Sequence, residues 1–212
     1  MLVAIPLFER FTALDAVGPY EVLQRIPSID VVIVGHARGE VRSDNGMLGL
    51  MVDKTYGEIT RPDVVVFPGG IGTRVLINDD EVLDWVREAH QHSRFTTSVC
   101  TGALVLAAAG LLTGLTATTH WRVQDLFNSL GAQYVPERVV EHLSHRIITA
   151  AGVSSGIDMA LRLAELLVGR DAAEASQLMI EYDPRPPFDA GSLATASAEV
   201  HELALEFYKH RS

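Results

Sequence analysis

Phe95-Thr96-Thr97-Ser98-Val99-Cys100-Thr101-Gly102-Ala103-Leu104 decides the reading of this chain. Up to Val99 the stretch is β-branched and aromatic, the composition of a buried strand. Beyond Cys100 run Ala103-Leu104-Val105-Leu106-Ala107-Ala108-Ala109, strong helix formers stopped by Gly110. The only cysteine of the chain thus falls at a strand-to-helix turn, with its thiol near a helix N-terminus. The unsatisfied N–H groups and the dipole at such a terminus favour a thiolate, so the pattern predicts a thiol pKa below the free value of ~8.5. A nucleophile on a strand–turn–helix elbow also has backbone N–H groups beside it that can hold an oxyanion. A free cysteine is equally at home as a small buried hydrophobe. The stretch alone leaves nucleophile and core residue both open.

The rest of the chain alternates strands and helices. Residues 2–8 predict a first strand buried on both faces, and Thr12-Ala13-Leu14-Asp15 matches a capping box opening a helix to about Gln24. Residues 29–34 predict a second strand, and the Asn-Gly turn signal in Asp44-Asn45-Gly46 predicts a hairpin within residues 40–52. Asp63-Val64-Val65-Val66-Phe67-Pro68 is a further buried strand, followed at once by Gly69-Gly70-Ile71-Gly72. Glycines there allow close backbone approach to a ligand or a neighbouring turn, although the spacing is not that of a dinucleotide fingerprint. Residues 79–92 form an amphipathic helix, and residues 115–121 a strand ending in His120-Trp121. A helix at 122–130, short strands at 134–135, 138–143 and 146–150, and helices at 154–168, 171–181 and 196–209 complete the pattern. Buried strands alternating with helices imply an α/β fold, a mainly parallel sheet with helices on both faces, formed by one domain over residues 1–212. Active sites of such sheets lie at the carboxyl ends of the strands, where Asp15, Gly69-Gly70, Cys100 and His120 all fall.

Composition narrows the class. At 212 residues and 48% hydrophobic content the chain can bury a substantial core. One cysteine excludes an internal disulfide and fits a cytoplasmic setting. No apolar run is long enough to span a membrane, and no signal peptide precedes the first strand. A net charge of −10 without a Lys/Arg-rich block argues against nucleic acid as a partner.

Several segments together resemble the ThiJ/PfpI superfamily, which shares the flavodoxin-like, class I glutamine amidotransferase-like fold. They are Phe67-Pro68-Gly69-Gly70, Ser98-Val99-Cys100-Thr101-Gly102 and Ala117-Thr118-Thr119-His120-Trp121. Within it, Leu14-Asp15-Ala16-Val17-Gly18-Pro19 and the late segment from Glu181-Tyr182-Asp183-Pro184 to Asp189-Ala190-Gly191 resemble the isocyanide hydratases. That resemblance implies homodimers that add water to an isocyanide to give an N-substituted formamide, without metal or organic cofactor. It implies Cys100 as the nucleophile and Asp15 as the acidic partner. Thr101 stands where the superfamily's proteases carry histidine, which argues against a Cys-His peptidase.

The residues support these roles with bland alternatives alongside. One carboxyl near the thiol can protonate the isocyanide carbon and later activate water, and Asp15 fits if the first helix points its N-terminus at the elbow. Its alternative is membership of the capping box. The amides of Gly70 and Thr101 are candidates to hold developing negative charge. His120 either tunes the thiolate and lines the pocket, or is a hydrogen-bonded, partly buried histidine beside Trp121. His142 and His145 lack further ligands nearby, so no metal site is expected. Two other functions use the same residues. A ligand-sensing domain resembles half of the AraC-type regulators, but their basic helix-turn-helix has no counterpart in the acidic last helix. A redox-responsive or aldehyde-metabolising protein needs only a reactive Cys100.

Overall fold

The computed structural model describes residues 1–209. Residues 1–180 cluster as one compact unit, and the described residues from Glu181 onward form a second.

The first unit opens with β1 (Leu2–Pro6), α1 (Ala13–Leu23) and β2 (Asp30–Gly35), followed by β3 (Gly39–Arg42), β4 (Gly49–Val52) and β5 (Lys54–Thr55). β3 and β4 form the antiparallel hairpin that the Asn45-Gly46 turn predicts, and Gly46 takes φ +73°. Next come β6 (Val64–Phe67), the short α2 (Thr73–Leu76), α3 (Asp80–His92), β7 (Phe95–Val99) and α4 (Gly102–Ala108). The chain continues through β8 (Thr116–Ala117), α5 (Gln124–Ser129), β9 (Gln133–Tyr134), β10 (Val139–His142), β11 (Ile147–Ala150), α6 (Ser155–Val168) and α7 (Arg170–Met179).

Seven strands make the central sheet in the order β10-β11-β7-β6-β1-β2-β5. All pairs are parallel except β10 with β11. The three middle strands are near-continuous apolar or threonine runs, as parallel strands covered on both faces must be. Helices α1, α6 and α7 pack on one another, while α3, α4 and α5 form a separate group on the other face. Gly18 and Gly156 let α1 and α6 cross closely: a Cβ on Gly18 would lie 3.1 Å from Ile157, and one on Gly156 3.3 Å from Pro19.

The strand expected at 115–121 is much shorter. Only Thr116–Ala117 pair, with β9, because the next two threonines turn to other partners described below. The second unit comprises an exposed, proline-rich stretch and α8 (Ala198–Lys209). Among the described residues no helix is long and apolar enough to cross a membrane.

Candidate active site

Cys100 follows β7 with a left-handed backbone, φ +57°. That region costs a residue with a side chain on the order of 1–3 kcal/mol and persists only where the surroundings hold it. Here they hold it on both sides. The Cys100 N–H donates to the carbonyls of Ala150 (3.0 Å) and Ala151 (2.8 Å), and its own carbonyl accepts from Thr119 Oγ1 at 2.9 Å. Gly102 completes the turn, since a Cβ there would lie 2.2 Å from the Phe67 carbonyl oxygen. The elbow read from the sequence is therefore formed. Its thiol is buried and receives the backbone N–H groups of Thr101 and Val153. Val153, β-branched, itself sits at φ +35°.

Asp15, the third residue of α1, is fully buried. Its Oδ2 accepts the Gly69 N–H at 2.9 Å, and the carboxyl lies within hydrogen-bond reach of the Cys100 thiol. Among the described residues Oδ1 has no other conventional partner. The capping box is not built. Thr12 Oγ1 donates to Asp44 Oδ2 at 2.6 Å instead, and the Asp15 carboxyl turns inward to Gly69 and the thiol. Asp44, in the hairpin turn, also accepts the Ile71 N–H at 3.2 Å, so it ties the start of α1 to the glycine loop.

Burial sets the protonation of this pair. It pushes the Asp15 carboxyl up to about 7; the Gly69 N–H and the thiol oppose the rise, and the charge of Asp44 adds to it. Burial likewise pushes the Cys100 thiol well above its ordinary value, with the Asp15 charge adding to the effect, and the Val153 and Thr101 amides only partly offset it. This corrects the low thiol pKa expected from the helix terminus. The dipole is present, but desolvation outweighs it.

Gly70 is a second correction. Its N–H is not open to an oxyanion, because it donates to Thr101 Oγ1 at 2.8 Å, and that hydroxyl donates back to the Gly70 carbonyl at 3.0 Å. The glycine is required for packing instead: at φ +141°, a Cβ would lie 2.4 Å from the Arg10 carbonyl oxygen. Neighbouring Gly69 is not an oxyanion donor either, but it sets the position of Asp15. Its amide holds the carboxyl, and a Cβ would lie 2.6 Å from the Thr101 nitrogen and 2.7 Å from Asp15 Oδ2. The Thr101 amide faces the sulfur.

His120 lies one residue past the Thr119 that grips the elbow. Its Nδ1 accepts the Arg122 N–H at 3.3 Å, which leaves the ring proton of the neutral form on Nε2, and the ring stacks on Trp121. A Cβ on Gly152 would meet its Cδ2 at 2.9 Å. Burial, then the charges of Arg122 and Arg74, push its pKa down to about 4. It is a neutral ring near neutrality.

Asp15 and the amides of Thr101 and Val153 thus converge on the Cys100 sulfur, with Gly69 holding the carboxyl from behind. Gly69 was signalled by its place after β6. Val153, Arg74 and Arg122 carried no pattern that separates them from ordinary surface or core residues.

A buried acid–thiol pair on an elbow, at the carboxyl end of a mainly parallel sheet, defines a cysteine-elbow α/β protein of the flavodoxin-like kind. The DJ-1/PfpI family pattern matches residues 1–166, and the chain belongs to that family. It is 45% identical over 198 residues to the isonitrile hydratase of Pseudomonas putida, covering 93% of this chain and 86% of that protein. It superposes on the crystal structure of a ThiJ/PfpI family protein from Pseudomonas syringae with a TM-score of 0.92 at 36% identity, over 99% of this chain and 86% of the other. It is also 26% identical to the HTH-type transcriptional regulator CdhR of Pseudomonas aeruginosa, across 91% of this chain but only 58% of the regulator.

Proposed function

We propose that the protein is a cysteine-dependent hydratase adding water to an isocyanide, or a related small electrophile, to give an N-substituted formamide. One observation carries this reading: the buried contact between Cys100 and an Asp15 carboxyl with a pKa of about 7. A carboxyl poised there can both give and take a proton near neutrality. The 45% identity to an isonitrile hydratase supports the choice of substrate.

The reaction follows from the groups in place. Ionised Asp15 takes the thiol proton, and the amides of Thr101 and Val153 receive the sulfur's charge. The sulfur bonds to the terminal isocyanide carbon while Asp15 returns its proton to that carbon, giving a thioimidate. Asp15, ionised again, takes a proton from water as the hydroxyl adds to the same carbon, and passes that proton to nitrogen. The tetrahedral adduct then collapses. Its hydroxyl proton returns to the pair, the C–S bond breaks and the formamide leaves. One isocyanide and one water make one formamide, and neither metal nor organic cofactor is called for.

The decisive experiment follows formamide by NMR across a panel of aliphatic and aromatic isocyanides. Turnover that disappears in Cys100→Ala supports the reading. No formamide from any isocyanide sinks it and favours the sensing or aldehyde-metabolising alternatives. We further read the working form as a cytoplasmic homodimer; equilibrium sedimentation at micromolar concentration should give twice the chain mass, and a monomer contradicts it.

A further inference from the structure

Asp15 can meet the Cys100 thiol only if the first turn of α1 and the glycine loop keep one spacing. The two are 54 residues apart in sequence. Backbone bonds join them at Thr12, whose N–H donates to the Gly69 carbonyl at 2.8 Å; the Asp15 N–H in turn donates to the Thr12 carbonyl at 3.1 Å. The Gly69 N–H then closes a ring on Asp15 Oδ2 at 2.9 Å.

A third segment braces this ring from outside. Asp44 sends one carboxylate oxygen to each side of it: Oδ2 accepts from Thr12 Oγ1 at 2.6 Å, and Oδ1 accepts the Ile71 N–H at 3.2 Å. Its own N–H donates to the Phe11 carbonyl at 2.9 Å. The turn that carries Asp44 is itself fixed. The Ser43 N–H donates to the Leu48 carbonyl at 2.9 Å, and Asn45 Oδ1 accepts from Ser43 Oγ at 3.2 Å and from the Met47 N–H at 3.0 Å. A carboxylate that served only its own turn would bond within it, as Asn45 does. Both oxygens of Asp44 instead leave the hairpin, one to each of the segments that bracket the Asp15–Gly69 contact. Bonds to a carboxylate are stronger than those to a neutral acceptor, and Asp44 is half-buried, so the brace resists opening.

We infer that Asp44 is a positioning residue: by clamping Thr12 at the start of α1 to Ile71 of the glycine loop, it seats the Asp15 carboxyl against Gly69 and the Cys100 thiol. That it serves catalysis rests on the hydratase reading; that it seats Asp15 rests on the hydrogen bonds alone.

Three variants test the clamp. Asp44→Ala removes both arms, and Thr12→Val removes one with little change of shape. Asp44→Asn keeps both, since its amide oxygen can accept the Ile71 N–H while its NH₂ group donates to the Thr12 hydroxyl. Displacing a reacting group by up to an ångström costs roughly ten- to a hundredfold in rate, and Asp44→Ala should lose about that much in kcat at nearly unchanged KM. Thr12→Val should fall in the same direction, and Asp44→Asn should stay close to the unmodified protein. The seat itself is read without substrate, by hydrogen exchange of the Gly69 amide followed by NMR. Exchange should quicken about tenfold in Asp44→Ala and Thr12→Val, the worth of one charge-assisted hydrogen bond, with the amides of β1 and β6 unmoved. Full kcat in Asp44→Ala with Gly69 exchange unmoved rejects the clamp and keeps the hydratase. Exchange that quickens evenly across the sheet also rejects the clamp, because Asp44 then stabilises the fold at large. A loss of kcat in Asp44→Asn as great as in Asp44→Ala overturns it too, since charge and not contact is then at work. Faster Gly69 exchange confined to the loop in Asp44→Ala, with no formamide from the unmodified protein, keeps the seat and rejects the hydratase.

Discussion

Asp15 and His120 flank the same elbow, and burial drives their pKa values in opposite directions, up to about 7 for one and down to about 4 for the other. The cause is the same in both: removal from water disfavours whichever form is charged. For the carboxyl this brings titration into the working pH range. For the imidazole it removes titration from that range, and the two neighbouring arginines deepen the effect. The α1 side of the site can therefore exchange a proton near neutrality, while the Thr119–Arg122 side presents a fixed neutral ring and positive charge. Proton traffic in the proposed hydration belongs to the first side.

The largest expected effect is on the atom the two sides share. Cys100→Ala should drop isocyanide turnover to background. Cys100→Ser should fail almost as badly, because a hydroxyl is far less acidic and Asp15 at a pKa of about 7 is too weak a base to ionise it. Full turnover in the serine variant would overturn covalent catalysis by the thiolate.

Asp15→Asn should lower turnover by ~10²–10⁴, the range for general acid–base groups, with the fold retained. It should also change how stability depends on pH. An unfolded carboxyl ionises near 3.8, whereas the folded one holds its proton to about 7. Between those values the folded state binds more protons, so the wild type should lose stability relative to Asp15→Asn as pH rises. The loss should level off above about 7, at a total on the order of 4 kcal/mol. Urea unfolding of both proteins at pH 4.5 and 7.5 checks the sign. A gap between the two proteins that is the same at both pH values places the Asp15 carboxyl in a wetter site than the structure shows.

Gly69→Ala tests the geometry of the α1 side without replacing a titratable group. The new methyl would press on both the Thr101 nitrogen and Asp15 Oδ2, at 2.6 and 2.7 Å, and neither can yield without moving the elbow or the carboxyl. A displacement of an ångström at reacting groups costs ~10² in rate. Steady-state turnover in the folded variant should show that loss, and near-normal kinetics mean the carboxyl need not be held by this amide.

The elbow was legible because its causes are local: a β-branched run, then alanine and leucine, and a cysteine between them. The mainly parallel sheet around it followed from the same alternation, whereas the strand order did not. What escaped the sequence depends on distant partners. Asp15 meets Gly69 across 54 residues, and the nearby Thr12 supplied a plausible capping partner that the fold uses elsewhere. Thr118 and Thr119 read as strand. In the fold the Thr118 N–H goes to Thr149 and the Thr119 hydroxyl to Cys100. The thiol's raised pKa was illegible for a related reason, since a helix terminus can be seen in sequence and burial beside a carboxyl cannot. Val153 is the extreme case: its amide faces the sulfur only because tertiary contacts hold a β-branched residue at positive φ.

The smallest effect is expected on the other side of the elbow, and it bears most directly on the contrast with Asp15. His120 caps the 3₁₀ turn at Trp121–Val123 through Nδ1, which accepts the Arg122 N–H. An asparagine side-chain oxygen makes the same kind of cap, so His120→Asn should keep both the turn and the neutral character of the site. Turnover should stay within about threefold, since only ring stacking and part of a cap, each worth ~1 kcal/mol or less, are altered. His120→Ala removes the cap as well and should cost ~0.5–2 kcal/mol in stability. The pH–rate profile distinguishes this from a role in proton transfer. With Asp15 as the titrating group, kcat/KM should rise through about pH 7 in both the wild type and His120→Asn, because the carboxyl must be ionised to take the thiol proton. A His120→Asn variant that loses ~10² or more, the signature of general acid–base catalysis, or that shifts this rise, makes the imidazole the proton carrier and reverses the assignment of the two sides.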